Sequence, residues 1–174
     1  MASTYHTVGR EFEADDVVES GPRIVSEIDA GLGSIVQLPN YSLFSSTVID
    51  LNLHCNSLTS MEGIGALTLL VNLNLSSNLI EVMDASELWT CSRLQRVDLA
   101  CNRIAEIDGL SSLRQLEYMN LAYNRIRSLE GLKQCSPEHK LRELDLRENF
   151  VGDLEELLDL NRCPTLERLV FATK

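Results

Sequence analysis

The chain lacks the segments that would place a protein in or across a membrane. No stretch approaches the run of about eighteen apolar residues that a membrane-spanning helix needs. Met1 to Arg10 has no basic segment followed by an apolar run, so no secretory signal is visible. These absences predict an intracellular, cytoplasmic protein with no membrane partner.

Basic residues are also scarce. The 174 residues include 15 Lys and Arg against 26 Asp and Glu, which gives a net charge of -11, and no basic residue occurs from Val48 to Ser92. An acidic chain repels the phosphates of nucleic acids and the headgroups of anionic lipids. We therefore expect a protein partner and no nucleic acid.

The residues that most often carry chemistry are few and scattered. His6, His54 and His139 are the only histidines, and the five cysteines form no C-x-x-C pair, so neither a catalytic dyad nor a zinc site is indicated. Gly63-Ile64-Gly65 lacks the lysine or third glycine of a phosphate-binding loop. The sequence predicts no catalytic, cofactor-binding or metal-binding residue and therefore a non-enzymatic protein.

What the chain does contain is a repeated phrase. Leu94 to Ile104 reads LQRVDLACNRI, and similar phrases begin earlier and later in the chain. If position 1 of each unit is set at an apolar residue, the units are 22 to 25 residues long, and they begin at Val48, Leu70, Leu94, Leu116, Leu141 and, for a partial unit, Leu166. Units of this length with this phrase are typical of a leucine-rich repeat.

Within each unit the apolar pattern changes from strand to turn. Positions 1, 4 and 6 are apolar, which predicts a short strand with one buried face, and the later spacing of three predicts short helical turns. Asp84 before Ala85 and Asp153 before Leu154 are candidate helix N-caps. An asparagine ends each strand phrase and is expected to bind backbone groups of adjacent coils, at Asn56, Asn78, Asn102, Asn124 and Asn149.

The predicted fold is an α/β leucine-rich-repeat solenoid, right-handed, with a parallel β-sheet on the concave face and short 3₁₀ or α turns on the convex face. Residues 1–23 are predicted to be a flexible acidic tail and residues 24–174 the repeat domain. Residues 24–47 would form an N-terminal cap that Leu43 and Phe44 close. Its apolar residues recur at spacings that mimic the back half of a repeat, at Ile24, Val25, Ile28, Leu32, Ile35 and Leu38.

The cysteines fit positions in the repeat. Cys91, Cys135 and Cys163 each precede a unit at a place occupied elsewhere by leucine, which predicts buried, apolar thiols. Cys55 and Cys101 lie two strands apart, about 10 Å, which is too far for a disulfide. The last unit ends at Phe171 with no closing turn, which predicts either a fragment of a longer protein, the interpretation we favour, or self-association through this open end.

The outward side of the strands is the surface that can carry function. Positions 3, 5, 7, 8 and 10 of successive units line up there, and tyrosine and arginine are the residue types enriched where proteins bind. An ordinary solvated sheet is the alternative. The candidate protein-binding residues are Arg96, Asp98, Arg103, Tyr118, Asn120, Tyr123, Arg125, Asp145 and Arg147.

The units resemble a known class of repeats. Asn102-Arg103-Ile104 followed by Gly109-Leu110 is similar to the leucine-rich repeats of phosphatase-regulatory and dynein light-chain proteins. Gly31-Leu32-Gly33-Ser34-Ile35, Asn52-Leu53-His54-Cys55-Asn56 and His139-Lys140-Leu141-Arg142 resemble the N-terminal repeats of the centrosomal leucine-rich repeat and coiled-coil protein family.

That resemblance implies the head of a longer scaffold protein at centrioles, basal bodies or the cytoskeleton, with a coiled coil after the repeats. No heptad segment is present in these 174 residues. The alternative function is a regulatory subunit that binds a phosphatase or a dynein motor domain through the concave face.

Overall fold

A computed structural model describes residues 23–152 and 163–171 of the chain. In these residues, seven strands of three residues form one parallel sheet whose strand order follows the sequence, so that each strand pairs with its neighbours in the chain. The strands are β1 (Ile24–Ser26), β2 (Asp50–Asn52), β3 (Asn72–Asn74), β4 (Arg96–Asp98), β5 (Tyr118–Asn120), β6 (Glu143–Asp145) and β7 (Arg168–Val170). The predicted parallel-sheet solenoid is confirmed. Among the described residues, no helix has the length and apolar character needed to cross a bilayer.

The register of the sheet follows the repeat. Arg96 lies opposite Asn72 on one side and Tyr118 on the other, so position 3 of every unit falls in one row, and position 5 falls in a second row. Position 4 lies between them and points into the core, where Leu51, Val97 and Met119 are almost fully buried. Because side chains alternate along a strand, rows 3 and 5 face solvent on the same side.

Short helices complete each coil on the other side of the core. The 3₁₀ helices are Ile35–Gln37, Ile64–Ala66, Leu110–Ser112 and Glu130–Gln134, and the α-helices are α1 (Tyr41–Phe44) and α2 (Ala85–Leu88). The predicted cap of α2 is confirmed, because Asp84 Oδ1 accepts hydrogen bonds from the amides of Ser86 at 2.9 Å and Glu87 at 3.4 Å. The helix predicted after Asp153 lies outside the described residues.

The asparagines link neighbouring coils as predicted. Asn102 is buried, and its Nδ2 donates to the carbonyls of Leu75 in the previous coil and Leu99 in its own, both at 3.0 Å. Its Oδ1 accepts from the Ile80 amide at 3.0 Å. The residue before each asparagine has a left-handed backbone, as at Cys101 with φ 56°. This turn directs the side-chain amide of the asparagine toward the preceding coil.

The predicted N-terminal cap of the solenoid, residues 24–47, has a more regular structure than the sequence suggested. Its first residues form β1, and Asn56 Oδ1 accepts hydrogen bonds from the amides of Ala30 and Leu32. The asparagines at the same repeat position in later coils, called the ladder asparagines below, accept in the same way from an amide of the preceding coil. The expectation that Ile24 begins the back half of a repeat is wrong, because Ile24–Ser26 is a strand paired with β2. Ile24 and Ile28 do not enter the core, since their side chains are 68% and 52% exposed. Val25 lies opposite Leu51 and takes the inward position, so alternation turns Ile24 to solvent.

The closing role expected for Leu43 is also wrong, since this side chain is 64% exposed at the surface of α1. The side chain of Phe44 lies outside the described part of the structure. Tyr41 of the same helix packs against the core instead, and its hydroxyl donates a hydrogen bond to the Gly63 carbonyl. The aromatic residue that joins this unit to the next is therefore Tyr41.

Glycines at one repeat position serve two purposes. Gly63 and Gly109 have φ of 98° and 76°, which a turn requires, and the amides of Gly63 and Gly65 donate to one carboxylate oxygen of Glu87 at 3.1 and 2.7 Å. The loop at Gly63 therefore already holds an anion from its own chain. Gly131 occupies the same repeat position, which predicts a third turn glycine, but it has no positive φ. A Cβ there would lie 2.0 Å from the Ile107 carbonyl oxygen.

Candidate functional site

The solvent-facing side of the sheet, predicted as the concave face, is called the open face below. It consists of the position 3, 5 and 7 residues of β1 to β7 and of the residues that follow each strand. At position 5 of β2 to β6, the side-chain oxygen of each residue accepts a hydrogen bond from the amide two residues later, at 3.0 to 3.1 Å. These residues are Asn52, Asn74, Asp98, Asn120 and Asp145. Each has one oxygen committed to the backbone, which fixes the direction of the rest of the group.

A short relay extends this row on β2 and β3. The Ser76 hydroxyl donates to Asn74 Oδ1 at 2.6 Å, and His54 Nδ1 lies 2.8 Å from the Ser76 oxygen. Because the serine proton is used on Asn74, His54 is the donor to Ser76. A serine that accepts from histidine is not activated as a nucleophile, which would need the opposite direction of proton transfer. Sequence reasoning did not foresee this contact.

Arg96 and Tyr118 form a stacked pair in row 3. The guanidinium carbon lies 4.4 Å from the ring centroid, which is within the range of a cation–π contact. Arg96 is exposed, and no carboxylate of the described residues forms an ion pair with it. Burial, and then the charges of Asp98 and Asp145, raise the pKa of Tyr118, so its hydroxyl remains protonated at neutral pH. The pair thus presents a positioned cation beside a hydroxyl donor.

The pair lies at one end of a shallow cavity of about 430 Å³ on the open face. The cavity spans β2 to β5, and its lining contains Asp50, Asn52, Asn72, Leu73, Asn74, Arg96, Val97, Asp98 and Tyr118. Three of the predicted binding residues are therefore brought together here, and a fourth, Asn120, adjoins them through a 3.2 Å hydrogen bond to Asp98.

Two other predicted residues neutralise each other. Arg147 Nε donates to both oxygens of Asp145 at 3.0 and 2.9 Å, and Nη2 lies 2.7 Å from Oδ2. The hydrogen bonds and charge of Asp145 raise the pKa of Arg147. This internal pair leaves less charge for a partner than the two residues would offer separately.

The remaining predicted residues do not lie on the strands. Arg103, Tyr123 and Arg125 occupy the turns after β4 and β5, at the edge of the open face. Tyr123 is 57% exposed, and Arg103 lies 3.8 Å from Glu81, a weak surface pair. Arg125 is exposed. The repeat pattern aligns these residues with equivalent positions of neighbouring units, but they are not among the residues that line the cavity.

Sequence reasoning omitted several residues from the predicted set. Asp50 and Asn72 line the cavity and are joined by a 3.0 Å hydrogen bond from Asn72 Nδ2 to Asp50 Oδ2. Phe150, 47% exposed, lies under Arg127 with the guanidinium carbon 5.7 Å from the ring centroid. Repeat position 3 already places Asp50 and Asn72 on the outward side of the strands, and the signal that could have found Phe150 is its repeat position, 10.

Charge divides along the solenoid. Residues 24–92 contain seven acidic residues and no lysine or arginine. Arg96 is therefore the first cation met on the strands of the open face when they are followed from β1. A partner that lies across the strands meets an anionic, amide-rich surface before it meets this arginine.

Comparison with known proteins supports the geometry. A family model described as "Leucine Rich repeats (2 copies)" matches residues 92–134, which include the repeated phrase at β4 and β5. Residues 92–134 are therefore leucine-rich repeats, and the described chain has the fold of a leucine-rich-repeat solenoid. Comparison with curated proteins gives no match.

Similar solved structures agree with this leucine-rich-repeat architecture. The internalin InlF of Listeria monocytogenes is 17% identical with a TM-score of 0.59 over 87% of this chain and 49% of the internalin. Internalin C2 of the same organism is 22% identical with a TM-score of 0.57 over 86% and 73%. TLR13, in a complex with ssRNA13, is 23% identical with a TM-score of 0.65 over 85% and 20%. The chain spans about half the length of InlF and about a fifth of TLR13, and identities this low show the fold alone.

Proposed function

We propose that this leucine-rich-repeat domain is a non-enzymatic module that binds a protein partner through the open face. The observation that carries the proposal is the Arg96–Tyr118 stack at the end of the cavity. Arginine and tyrosine are enriched at the energetic centres of interfaces because they combine contact area with directed hydrogen bonds. Stacking removes rotamer freedom from Arg96 before the partner arrives, which lowers the entropic cost of binding.

The dimensions of the face also suit a protein. Seven strands spaced about 4.8 Å apart give a surface about 29 Å across, which is comparable with one side of a standard protein interface. The ssRNA bound in the TLR13 complex belongs to that receptor. In this chain the first three strands and their connections carry no lysine or arginine between residues 24 and 92, which disfavours a phosphate backbone as the partner.

We further propose that the domain is the N-terminal head of a longer centriolar, basal-body or cytoskeletal scaffold. The support is the resemblance of Gly31–Ile35, Asn52–Asn56 and His139–Arg142 to the centrosomal family. The alternative, a regulatory subunit for a phosphatase or dynein motor domain, would use the same face. Proximity labelling of the full-length protein in cells separates them, and a neighbour set without centriolar or basal-body proteins would end the scaffold proposal.

The open face is tested by quantitative co-purification from cells with the full chain as bait. In the Arg96→Ala/Tyr118→Ala double variant, we expect recovery of the bound protein to fall at least about tenfold. The matched control is Arg114→Ala. Arg114 lies in the turn before β5, where its exposed side chain pairs with Glu138. All three proteins should melt at similar temperatures, because the altered side chains lie outside the core. Equal recovery with the double variant and the control would place the binding site elsewhere.

A further inference from the structure

We propose that Cys135 and Cys163 form a reversible intramolecular disulfide when the protein meets hydrogen peroxide, and that this bond fastens β7 to the rest of the sheet. Both residues are free thiols in the structure. The inference concerns the end of the solenoid and not the open face, so either proposal can fail while the other stands.

The two thiols lie side by side in the core, on adjacent coils. Cys135 follows the 3₁₀ helix Glu130–Gln134, and Cys163 lies three residues before Leu166, at the start of the unit that contains β7. A hydrogen bond joins the two side chains. Adjacent coils are about 4.8 Å apart at the sheet, which lies within the range of about 4.4 to 6.8 Å between Cα atoms that a disulfide requires.

Hydrogen bonds tie together the segments that follow the two cysteines. Thr165, two residues after Cys163, donates from its hydroxyl to the carbonyl of His139 at 3.0 Å. His139 is buried, and its Nδ1 accepts a hydrogen bond at 2.8 Å from the amide of Ser136, the residue after Cys135. These contacts hold the backbone beside one sulfur against the backbone beside the other.

The other three cysteines have no thiol partner among the described residues. Cys91 Sγ donates to the Ile64 carbonyl oxygen at 3.4 Å, and leucines occupy the equivalent positions of the coils on either side. Cys55 and Cys101 are exposed and lie two strands apart, about 10 Å, which is too far for a disulfide. A disulfide within one molecule is therefore specific to the buried pair.

The direction of the hydrogen bond gives the two sulfurs different roles. Cys135 donates and Cys163 accepts, which raises the pKa of Cys135 and lowers that of Cys163 against the opposing effect of burial. The Cys163 thiolate is therefore the nucleophile. It attacks one oxygen of the peroxide, the O–O bond breaks, and the second oxygen leaves as hydroxide and takes up a proton to become water.

The sulfenic acid thus formed on Cys163 is the electrophile of the second step. The Cys135 sulfur attacks the Cys163 sulfur, the S–O bond breaks, and the hydroxyl group leaves with the Cys135 proton as a second water. Two thiols are oxidised to one disulfide, and one peroxide molecule is reduced to two waters. A dithiol reductant reverses the bond by thiol–disulfide exchange.

The position of the pair at the end of the described sheet explains both its access and its effect. The core residues of the last unit, Leu166, Leu169 and Phe171, are only partly buried, whereas their equivalents in the inner coils are buried. The ends of a repeat array open more readily than its middle. Such opening admits peroxide, which is small and uncharged, to thiols that are otherwise 5% and 2% exposed. The disulfide then restricts the same opening, because it links the coil before β6 to the start of the β7 unit.

Peptide mapping of the full chain tests the bond. The reduced protein is treated with hydrogen peroxide, its remaining thiols are blocked with N-ethylmaleimide in denaturant, and it is digested with trypsin without reductant. Trypsin places the two cysteines in separate peptides, residues 134–140 and 163–168, so mass spectrometry identifies their cross-link. We expect the cross-link after peroxide, none before it, and its loss on treatment with dithiothreitol.

Hydrogen exchange measures the fastening of β7. The Leu146 amide donates to the Val170 carbonyl at 2.7 Å and so reports on the pairing of β6 with β7. It should exchange at least about fivefold more slowly in the oxidised than in the reduced protein. In Cys135→Ser, peroxide should leave this exchange unchanged.

Single variants separate the roles of the two sulfurs. In Cys135→Ser, the Cys163 sulfenic acid has no thiol to meet and should proceed to the sulfinic acid, a mass gain of two oxygens. In Cys163→Ser, oxidation of Cys135 should be at least about tenfold slower. Cys91→Ser, the matched control with a buried thiol removed elsewhere in the core, should form the disulfide as the wild type does.

Circular dichroism and thermal melting of each variant establish that the fold is kept, and the wild-type result does not depend on any variant. The inference is overturned if peroxide oxidises the exposed Cys55 and Cys101 while Cys135 and Cys163 remain thiols. A cross-link that leaves exchange at Leu146 unchanged would overturn it as well.

Discussion

Removal of one ladder asparagine tests how the coils are held together. In Asn102→Ala, four hydrogen bonds disappear, three from Nδ2 and one to Oδ1. The substitution leaves the strands and the apolar core residues unchanged. Its effect therefore reports the coupling between neighbouring coils.

The cost can be worked out group by group. Each of the three carbonyls that Asn102 binds keeps a second hydrogen bond. The carbonyls of Leu75, Leu99 and Ala100 keep those from Asn78 Nδ2, Asn124 Nδ2 and the Ser77 amide, respectively. The buried amide of Ile80 has no other acceptor in the described part of the chain. Leaving that amide unpaired costs about 1 to 3 kcal/mol, and the weakened carbonyl contacts add about 1 kcal/mol.

We therefore expect Asn102→Ala to lower the free energy of unfolding by about 2 to 4 kcal/mol. Asn56→Ala is the matched control, because Asn56 accepts from Ala30 and Leu32 amides that are exposed or half-buried, where water can replace it. Its cost should be about 1 kcal/mol. Urea unfolding followed by circular dichroism gives both values.

Hydrogen exchange gives an independent readout, since repeat arrays can unfold in parts. The amide of Ile80 should exchange faster in Asn102→Ala than in the wild type and remain protected in Asn56→Ala. A loss below about 0.5 kcal/mol together with unchanged exchange at Ile80 would show that the ladder does not couple the coils.

Two further results follow from packing. Gly131→Ala should destabilise the protein by at least about 3 kcal/mol, because its Cβ would lie 2.0 Å from the Ile107 backbone oxygen. The control Gly33→Ala, whose Cβ has its nearest contact at 3.8 Å, should be within about 0.5 kcal/mol of the wild type in urea unfolding. Similar effects of the two substitutions on the free energy of unfolding would refute the close approach at Gly131. A thiol reagent should label two of the five cysteines in the native protein, the exposed Cys55 and Cys101, and all five in denaturant. Burial raises the pKa of Cys91 to about 11, and the hydrogen bond with Cys163, then burial, raises that of Cys135. The same hydrogen bond lowers the pKa of Cys163, so this thiol is protected by its burial and not by its pKa. Rapid labelling of a third thiol would contradict the buried positions.

The Gly131 prediction shows where local preference and tertiary structure disagree. This residue lies in the 3₁₀ helix Glu130–Gln134, where helix preference alone would favour alanine over glycine. The backbone of the previous coil passes too close for any side chain. His139 is a similar case, because nothing in its local sequence predicts burial, yet it is buried with Nε2 2.8 Å from the Leu110 carbonyl oxygen.

The candidate site shows the same division. The sequence predicted that Arg96 and Tyr118 face outward, because alternation along a strand depends only on local backbone geometry. It did not predict that their side chains stack or that Asp145 neutralises Arg147. Those contacts depend on register and rotamer, which the repeat period alone does not specify.

The sequence by itself determined the repeat, the buried positions and the ladder asparagines, because each is set by a pattern within one coil that recurs every 22 to 25 residues. The tertiary structure decided which outward residues meet. Contacts between coils join residues more than twenty positions apart, and units of unequal length align them only through the hydrogen bonds of the sheet. For the same reason, only the alignment of β1 with β2 showed that Ile24 faces solvent and belongs to the open face.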